Sequence, residues 1–295
     1  MAARRWFWAC LLAIASTASA GAADDAQRAR GAYLFNAGGC ASCHTDPKLP
    51  DAPLGGGRAL KTPFGTFYGP NITPHPAAGI GRWSDADFIR AMRHGIGPGG
   101  VHFYPVFPYT SFTWMTDADI RDLKAYIFSL PPLDKPSRPH DVGFPFNIRF
   151  LQAGWRMLNF TAGPFAPDPK ASAQANRGAY LVRAVAHCGE CHTPRNAIGG
   201  LKDSMWLAGV ADGPEGEAAP NITPDPDTGI GKWSVEDIAF YLQAGVSPDG
   251  EFAGSLMGEV VANATSKLTA ADRAAIAAYL KWVPPVANKV RDRRH

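Results

Sequence analysis

The sequence predicts an all-α protein built from two tandem copies of one short-helix module. Three observations carry that expectation. Most of the chain is written twice, helix-capping pairs recur at matching places in both copies, and the segments between them are rich in Gly and Pro with little strand-like alternation. A length of 295 residues allows two ordinary domains. With 46% hydrophobic and 19% charged residues, the chain can bury a core and is not generally disordered. The 31 Gly and 26 Pro point to loop-rich domains with short helices. Formal net charge is only +3, and no basic block is interleaved with aromatics, so nucleic acid is not expected as a partner.

The elements follow in order. Residues 1–20 read as a secretory signal peptide: Arg4 and Arg5 start it, Trp6 to Ile14 is a short apolar run, and Ala18-Ser19-Ala20 is a small-residue cleavage site. The run is too short to span a bilayer. The expectation is export to the periplasm with cleavage near Ala20, which also removes Cys10 and leaves four cysteines. No later stretch has the length of a spanning helix, so the mature protein is expected to be soluble or peripheral to the inner membrane.

The repeat divides the remainder into 26–131, a connector over 132–174, 175–285, and a basic tail over 286–295. Arg30-Gly31-Ala32-Tyr33-Leu34 returns as Arg177-Gly178-Ala179-Tyr180-Leu181. Asn71-Ile72-Thr73-Pro74 returns as Asn221-Ile222-Thr223-Pro224, and Trp83-Ser84 returns as Trp233-Ser234. A repeat of this length means two homologous domains, not a solenoid. Asp24 or Asp25 is expected to cap a helix running through Tyr33. Ser84 with Asp87, and Ser234 with Asp237, have capping-box spacing. Thr116 with Asp119, and Thr269 with Asp272, open the last helix of each copy, which Pro131-Pro132 and Pro284-Pro285 then stop. About a hundred residues with a few short helices bury only a thin core, so something must fill the middle of each copy.

The cysteines identify the filler. Cys40-Ala41-Ser42-Cys43-His44-Thr45 returns as Cys188-Gly189-Glu190-Cys191-His192-Thr193. Two disulfides would be possible in an exported chain, but a two-residue gap makes a redox loop rather than a staple, and the βαβ context of a thioredoxin motif is missing. Zinc would need four ligands where each copy offers three. Cys-x-x-Cys-His is the attachment signature of a c-type haem. Two thiols on one helical turn reach the two vinyl groups on one porphyrin edge, and the following His presents its imidazole to the iron. Cys40, Cys43 and His44 are therefore assigned to haem 1, and Cys188, Cys191 and His192 to haem 2, with both haems covalently attached.

On these motifs the chain resembles a dihaem member of the class I cytochrome c family. More narrowly, it is similar to the cytochrome subunits that accept electrons from membrane-associated bacterial dehydrogenases. The resemblance covers nearly all of the mature chain and implies an all-α cytochrome fold, with first and last helices crossing near Gly31 and Tyr126, and near Gly178 and Tyr279. It also implies a distal methionine, for which Met257 stands in the expected place. An ungapped alignment of Gly95–Gly100 on Gly245–Gly250 puts Phe107 opposite Met257. The sixth ligand of haem 1 thus stays open among Met115, His102, a tyrosine, water or none, while Met92 is expected in the core and His94 at a helix end. Met/His ligation raises a haem potential, so haem 2 is expected to be the higher, with electrons entering at haem 1. Asn71, Trp83, Asn221 and Trp233 are candidate donors to haem propionates, since buried carboxylates need donors. The other reading is turn chemistry for the Asn and core packing for the Trp.

The expected function is periplasmic carriage of single electrons from a donor dehydrogenase to a respiratory acceptor, a cytochrome or an oxidase. The protein is then an electron carrier or redox subunit rather than an enzyme by itself. The alternative is a haem enzyme acting on peroxide or a sulfur compound at a haem 1 without methionine. The aromatic connector reads either as a strap buried between the domains or, over 144–165, as an apolar contact with a membrane face or a dehydrogenase subunit.

Overall fold

The computed structural model describes residues 21, 22 and 24–290. The expected signal peptide with Cys10, and the end of the basic tail over 291–295, lie outside the described residues. Helix α1 (24–37) leads into the short α2 (Cys40–His44), and a hairpin of β1 (Ala59–Thr62) and β2 (Gly65–Tyr68) follows. Then come α3 (Asp85–His94), α4 (Tyr109–Phe112) and α5 (Asp117–Phe128), with α6 (Leu151–Asn159) in the connector. The second half repeats the order with α7 (Ala173–Tyr180), α8 (Gly189–His192), α9 (Val235–Ala244), α10 (Ser255–Asn263) and α11 (Ala270–Trp282). No described helix is long and apolar enough to cross a membrane.

The capping signals act as their chemistry requires. Ser84 accepts from the Asp87 N–H at 3.1 Å while the Asp87 carboxylate accepts from the Ser84 N–H at 3.1 Å; Ser234 and Asp237 do the same. Each such cap is worth about 1 kcal/mol. Thr116 and Thr269 accept from the N–H groups of Asp119 and Asp272, both at 3.1 Å. Asp24 and Asp25 are not the expected cap: they are already helical, and Asp25 pairs with Arg28.

Helix packing in each half turns on one glycine. A Cβ on Gly31 would lie 1.9 Å from the Asp122 carbonyl oxygen and 2.8 Å from Tyr126 Cβ. On Gly178 it would lie 1.9 Å from the Ala275 carbonyl oxygen and 2.8 Å from Tyr279 Cβ. The backbones of α1 and α5, and of α7 and α11, therefore touch where no side chain fits. One buried cluster runs through both halves, from Leu34 and Ile120 to Leu181 and Ile276.

Helices are the main regular elements, but the fold departs from the all-α expectation: much of the chain is loop, and a small sheet is present. The antiparallel β1–β2 hairpin pairs Ala59 with Tyr68 and Thr62 with Gly65. Its turn is closed by a side chain: Thr62 Oγ1 donates to the Gly65 carbonyl at 2.9 Å and accepts from the Phe64 N–H at 3.1 Å. The connector joins its edge, with Asp141 and Thr66 exchanging both backbone hydrogen bonds at 2.8 Å. The second half has only a bridge there, between Val210 and Ala219.

The connector is both strap and surface. It begins by binding the first half through Leu133, Lys135 and Ser137, and it ends with Phe165 edge-on to Tyr180 of the second. Its helix starts at Leu151, after a turn over 144–147. The described start of the tail is tied down: the Val286 carbonyl accepts from Asn221 at 2.8 Å, and Asn288 Nδ2 donates to the Ala208 carbonyl at 2.8 Å.

Candidate cofactor site

Each attachment motif forms one short helical turn, α2 in the first half and α8 with Cys188 as its N-cap in the second, whose i,i+3 spacing sets both thiols on one side. All four cysteines are free and half-buried. Burial pushes the Cys40 and Cys188 thiols up to about 12. Burial also raises Cys43, and it takes Cys191 to about 11, where Glu190 and, from the other half, Cys43 act against ionisation while Arg195 opposes them. Such thiols stay protonated at neutral pH. That suits thioether formation with a vinyl carbon better than thiolate ligation of a metal ion.

The histidines are prepared for iron. His44 Nδ1 lies 2.8 Å from the Pro70 carbonyl oxygen, and His192 Nδ1 lies 2.8 Å from that of Pro220. A carbonyl can only accept, so Nδ1 carries the proton and Nε2 keeps its lone pair. Burial lowers both imidazoles below the ordinary value, which keeps them neutral. The loops behind them are locked alike: Thr45 Oγ1 accepts from the Leu54 N–H at 3.1 Å, and Thr193 Oγ1 from the Leu207 N–H at 3.0 Å. Both donor sets, two protonated thiols on one turn and an oriented neutral imidazole beside them, fit a covalently held haem.

The propionate candidates divide. Asn71 is fully used: its Nδ2 donates to the Leu133 and Lys135 carbonyls at 2.8 and 2.9 Å, and its Oδ1 accepts from the N–H and hydroxyl of Thr73. Asn221 donates to Thr228 and Val286 and accepts twice from Thr223. Neither has a donor left for a carboxylate: the Asn71 amide ties its loop to the connector, and the Asn221 amide ties its loop to Thr228 and the tail. Trp83 and Trp233 are half-buried; they stack on Phe103 and meet Tyr241 edge-on, and no protein acceptor holds their indole N–H among the described residues.

At the sixth position the halves differ. Met257 sits in the first turn of α10 rather than on a loop, half-buried against the core. The bridge between Ile96 and His102 is matched by one between Val246 and Phe252, in the register that puts Phe107 opposite Met257. Phe107 packs edge-on against Phe103 at 5.9 Å and tilted on Phe112 at 5.6 Å. Met115 is 1% exposed within the core cluster, and Met92 is buried there too. His102 Nδ1 lies 3.5 Å from an Arg156 nitrogen. Tyr109 is fully buried with no partner for its hydroxyl.

Comparison with known proteins agrees. A family model for cytochrome c matches residues 28–131. A dihaem c-type cytochrome of Cereibacter sphaeroides is 48% identical over 265 residues, covering 88% of this chain and 87% of the relative. The chain belongs to the cytochrome c family. This cytochrome is also 41% identical to the fructose dehydrogenase cytochrome subunit of Gluconobacter japonicus, over 88% of the chain and 53% of the relative. It is 40% identical to the cytochrome c subunit of a quinone-type alcohol dehydrogenase from Gluconacetobacter polyoxogenes, over 94% and 60%. It spans about half to three-fifths of these dehydrogenase subunits. As a cytochrome c it carries covalently bound c-type haem and transfers electrons.

Proposed function

We propose that this cytochrome c is an exported dihaem electron carrier that takes single electrons from a dehydrogenase and delivers them to a respiratory acceptor. In this reading 26–131 and 175–285 are tandem cytochrome c domains. Cys40 and Cys43, and Cys188 and Cys191, form the thioethers; His44 and His192 offer Nε2 to iron. When bound, each haem supplies an iron that takes up and gives up one electron. The protein orients the imidazoles, excludes water with the shared core, and sets the potentials through the sixth ligand, which is Met257 in the second half. The observation that carries the reading is the pair of 2.8 Å contacts from His44 and His192 to Pro70 and Pro220, each beside a pair of protonated thiols.

The donor is taken to be a dehydrogenase because relatives of this chain are named as dehydrogenase subunits. The relatives described above are named as cytochromes or dehydrogenase subunits, so nothing among them favours peroxide or sulfur chemistry. Export with cleavage near Ala20 belongs to the same proposal. So does partner or membrane contact through 144–165, where Phe144, Phe150, Met157 and Leu158 are 77–87% exposed. The test is to purify the exported protein, determine its N-terminus and count haems by alkaline pyridine spectra. Two haems per chain and reduction by a membrane dehydrogenase fraction support the reading. A colourless protein with free thiols ends it.

A further inference from the structure

The two attachment turns are not separate sites: they touch across the seam between the halves. His187, just before Cys188, has its Nε2 3.2 Å from the carbonyl oxygen of Gly38, two residues before Cys40. A Cβ on Gly38 would lie 3.4 Å from the Val185 carbonyl oxygen and 3.6 Å from Cys40 Sγ, so the two backbones meet directly. Glu190, between Cys188 and Cys191, accepts from Thr110 at 2.7 Å and Ser111 at 2.9 Å, both on α4 of the first half. In reverse, Ser42, between Cys40 and Cys43, accepts from Asn263 of α10 at 3.4 Å. Each attachment turn is therefore gripped by the helix near the other half's sixth-ligand position.

His187 departs from what its position favours. Its counterpart, Gly39, has φ +59°, which glycine adopts freely. His187 has φ +41° and carries a full side chain there. A non-glycine residue persists in that region when its surroundings over-determine it. Here the surroundings are the Gly38 carbonyl and the edge-on ring of Phe112, 5.5 Å away. The helix feeding this turn also widens into a π turn over Leu181–Val185, which carries the chain to the seam.

We propose that His187 is a positioning residue that fixes the spacing of the two attachment turns, so that electrons pass between the haems within one molecule. The proposal rests on the reading that each turn anchors one haem. The exchange is balanced: ferrous iron on one turn becomes ferric as ferric iron on the other becomes ferrous, with no net proton or ligand transfer. The dehydrogenase supplies the electron, and the respiratory acceptor removes it.

The test uses the haem-loaded protein and begins with a haem count. One haem per chain would defeat the functional reading itself, whereas two haems without coupling would defeat this inference alone. Flash reduction is followed by Soret absorbance, and haem–haem coupling is read from Soret circular dichroism. The wild type is expected to show a split Soret dichroism and a concentration-independent redistribution phase. His187→Gly keeps the backbone conformation accessible and removes both contacts. It is expected to keep two haems, to weaken the splitting and to slow redistribution several-fold. A Thr110→Val, Ser111→Ala double variant, which loosens the grip without altering either turn, is expected to act in the same direction and serves if His187→Gly fails to load. Unchanged splitting and rate in a fully loaded variant, or a concentration-dependent phase in the wild type, would overturn the proposal.

Discussion

The Tyr33 hydroxyl donates to the Asp272 carboxylate at 2.5 Å, joining residues 239 apart in sequence, and its repeat counterpart Tyr180 donates to Asp119 in the opposite direction. Each tyrosine hydroxyl also accepts from a backbone N–H in the other half, Tyr33 from Thr269 at 3.2 Å and Tyr180 from Thr116 at 3.1 Å. The exchange has the form of a two-fold contact made within one chain. It also explains why Thr116 and Thr269 cap their helices without a reciprocal bond: the carboxylates that would complete those boxes are turned to the other half.

The clasp makes a stability prediction. Tyr33→Phe and Tyr180→Phe each remove a hydrogen bond to a carboxylate, a change worth about 1.5–3 kcal/mol. Burial pushes Asp272 up, but hydrogen bonds from Arg177 and Tyr33 outweigh it and hold the carboxyl below its usual range. Without Tyr33 it keeps Arg177, at 2.8 Å, so the loss there is expected at the lower end. Because Arg177 belongs to both contacts, pairing with Asp272 and lying over the Tyr180 ring at 5.8 Å, the double variant is expected to depart from the sum of the two single losses. Urea titrations of the three variants measure this, and no loss in any of them would remove the clasp from the account.

The glycine crossings make a sharper one. Gly31→Ala and Gly178→Ala each force a methyl group against backbone 1.9 Å away, and the helices must separate. Overpacking of this kind costs about 1–3 kcal/mol, sometimes more. A surface control, Gly143→Ala, meets nothing within 4 Å and is expected to be near neutral. Thermal melts of the haem-loaded proteins decide the matter; equal melting of all three would mean that the crossings give way at no cost.

What could be read from the sequence had a local signature. Ser84 and Asp87 announce a helix start three residues apart, and the resemblance to cytochromes c implied the crossing at Gly31, where only a residue without a side chain fits. The attachment motifs carry their chemistry in five consecutive residues. What could not be read depends on distance in sequence. Nothing near Tyr33 points to Asp272, and nothing near Asn71 shows that Leu133 and Lys135 will use up its amide. The hairpin over 59–68 was not legible because each strand is only four residues long and its burial does not alternate. Nothing near His187 points to Gly38, which lies 149 residues away in sequence.

The sixth position predicts two unequal haems. In the proposed assignment Met257, with His192 as the other ligand, would raise one potential, whereas Phe107 would give haem 1 no sulfur at the matching place. Redox titration of the wild type is expected to resolve two waves. Met257→Ala is expected to lower the upper wave and to let the reduced protein bind carbon monoxide at haem 2. Phe107→Met is expected to raise the lower wave and bring the two together. A single wave in the wild type, or a Met257→Ala variant with an unmoved upper wave, would refute the assignment.

Acid should weaken the fold before the carboxylates titrate. Burial lowers His94, His140 and His187 below the ordinary imidazole value. In the proposed haem-loaded state His44 and His192 are committed to iron, which leaves these three of the five lowered histidines free to titrate. Above about pH 6.5 they are neutral folded or unfolded, and their neutrality costs nothing. Below that value the unfolded chain takes up protons that the folded chain refuses, so stability falls as pH falls. The loss grows until the folded-state values are passed. Asp272 acts in a separate window: its carboxyl is depressed, so its contribution is full above about pH 4 and is lost below. Urea midpoints of the loaded protein are therefore expected to drop between about pH 7 and about pH 5. His187→Gln, whose amide can still donate to the Gly38 carbonyl but does not titrate, is expected to flatten part of that slope. A midpoint that holds level or rises on acidification, or a slope unchanged in His187→Gln, would mean that His187 is not kept neutral at the seam.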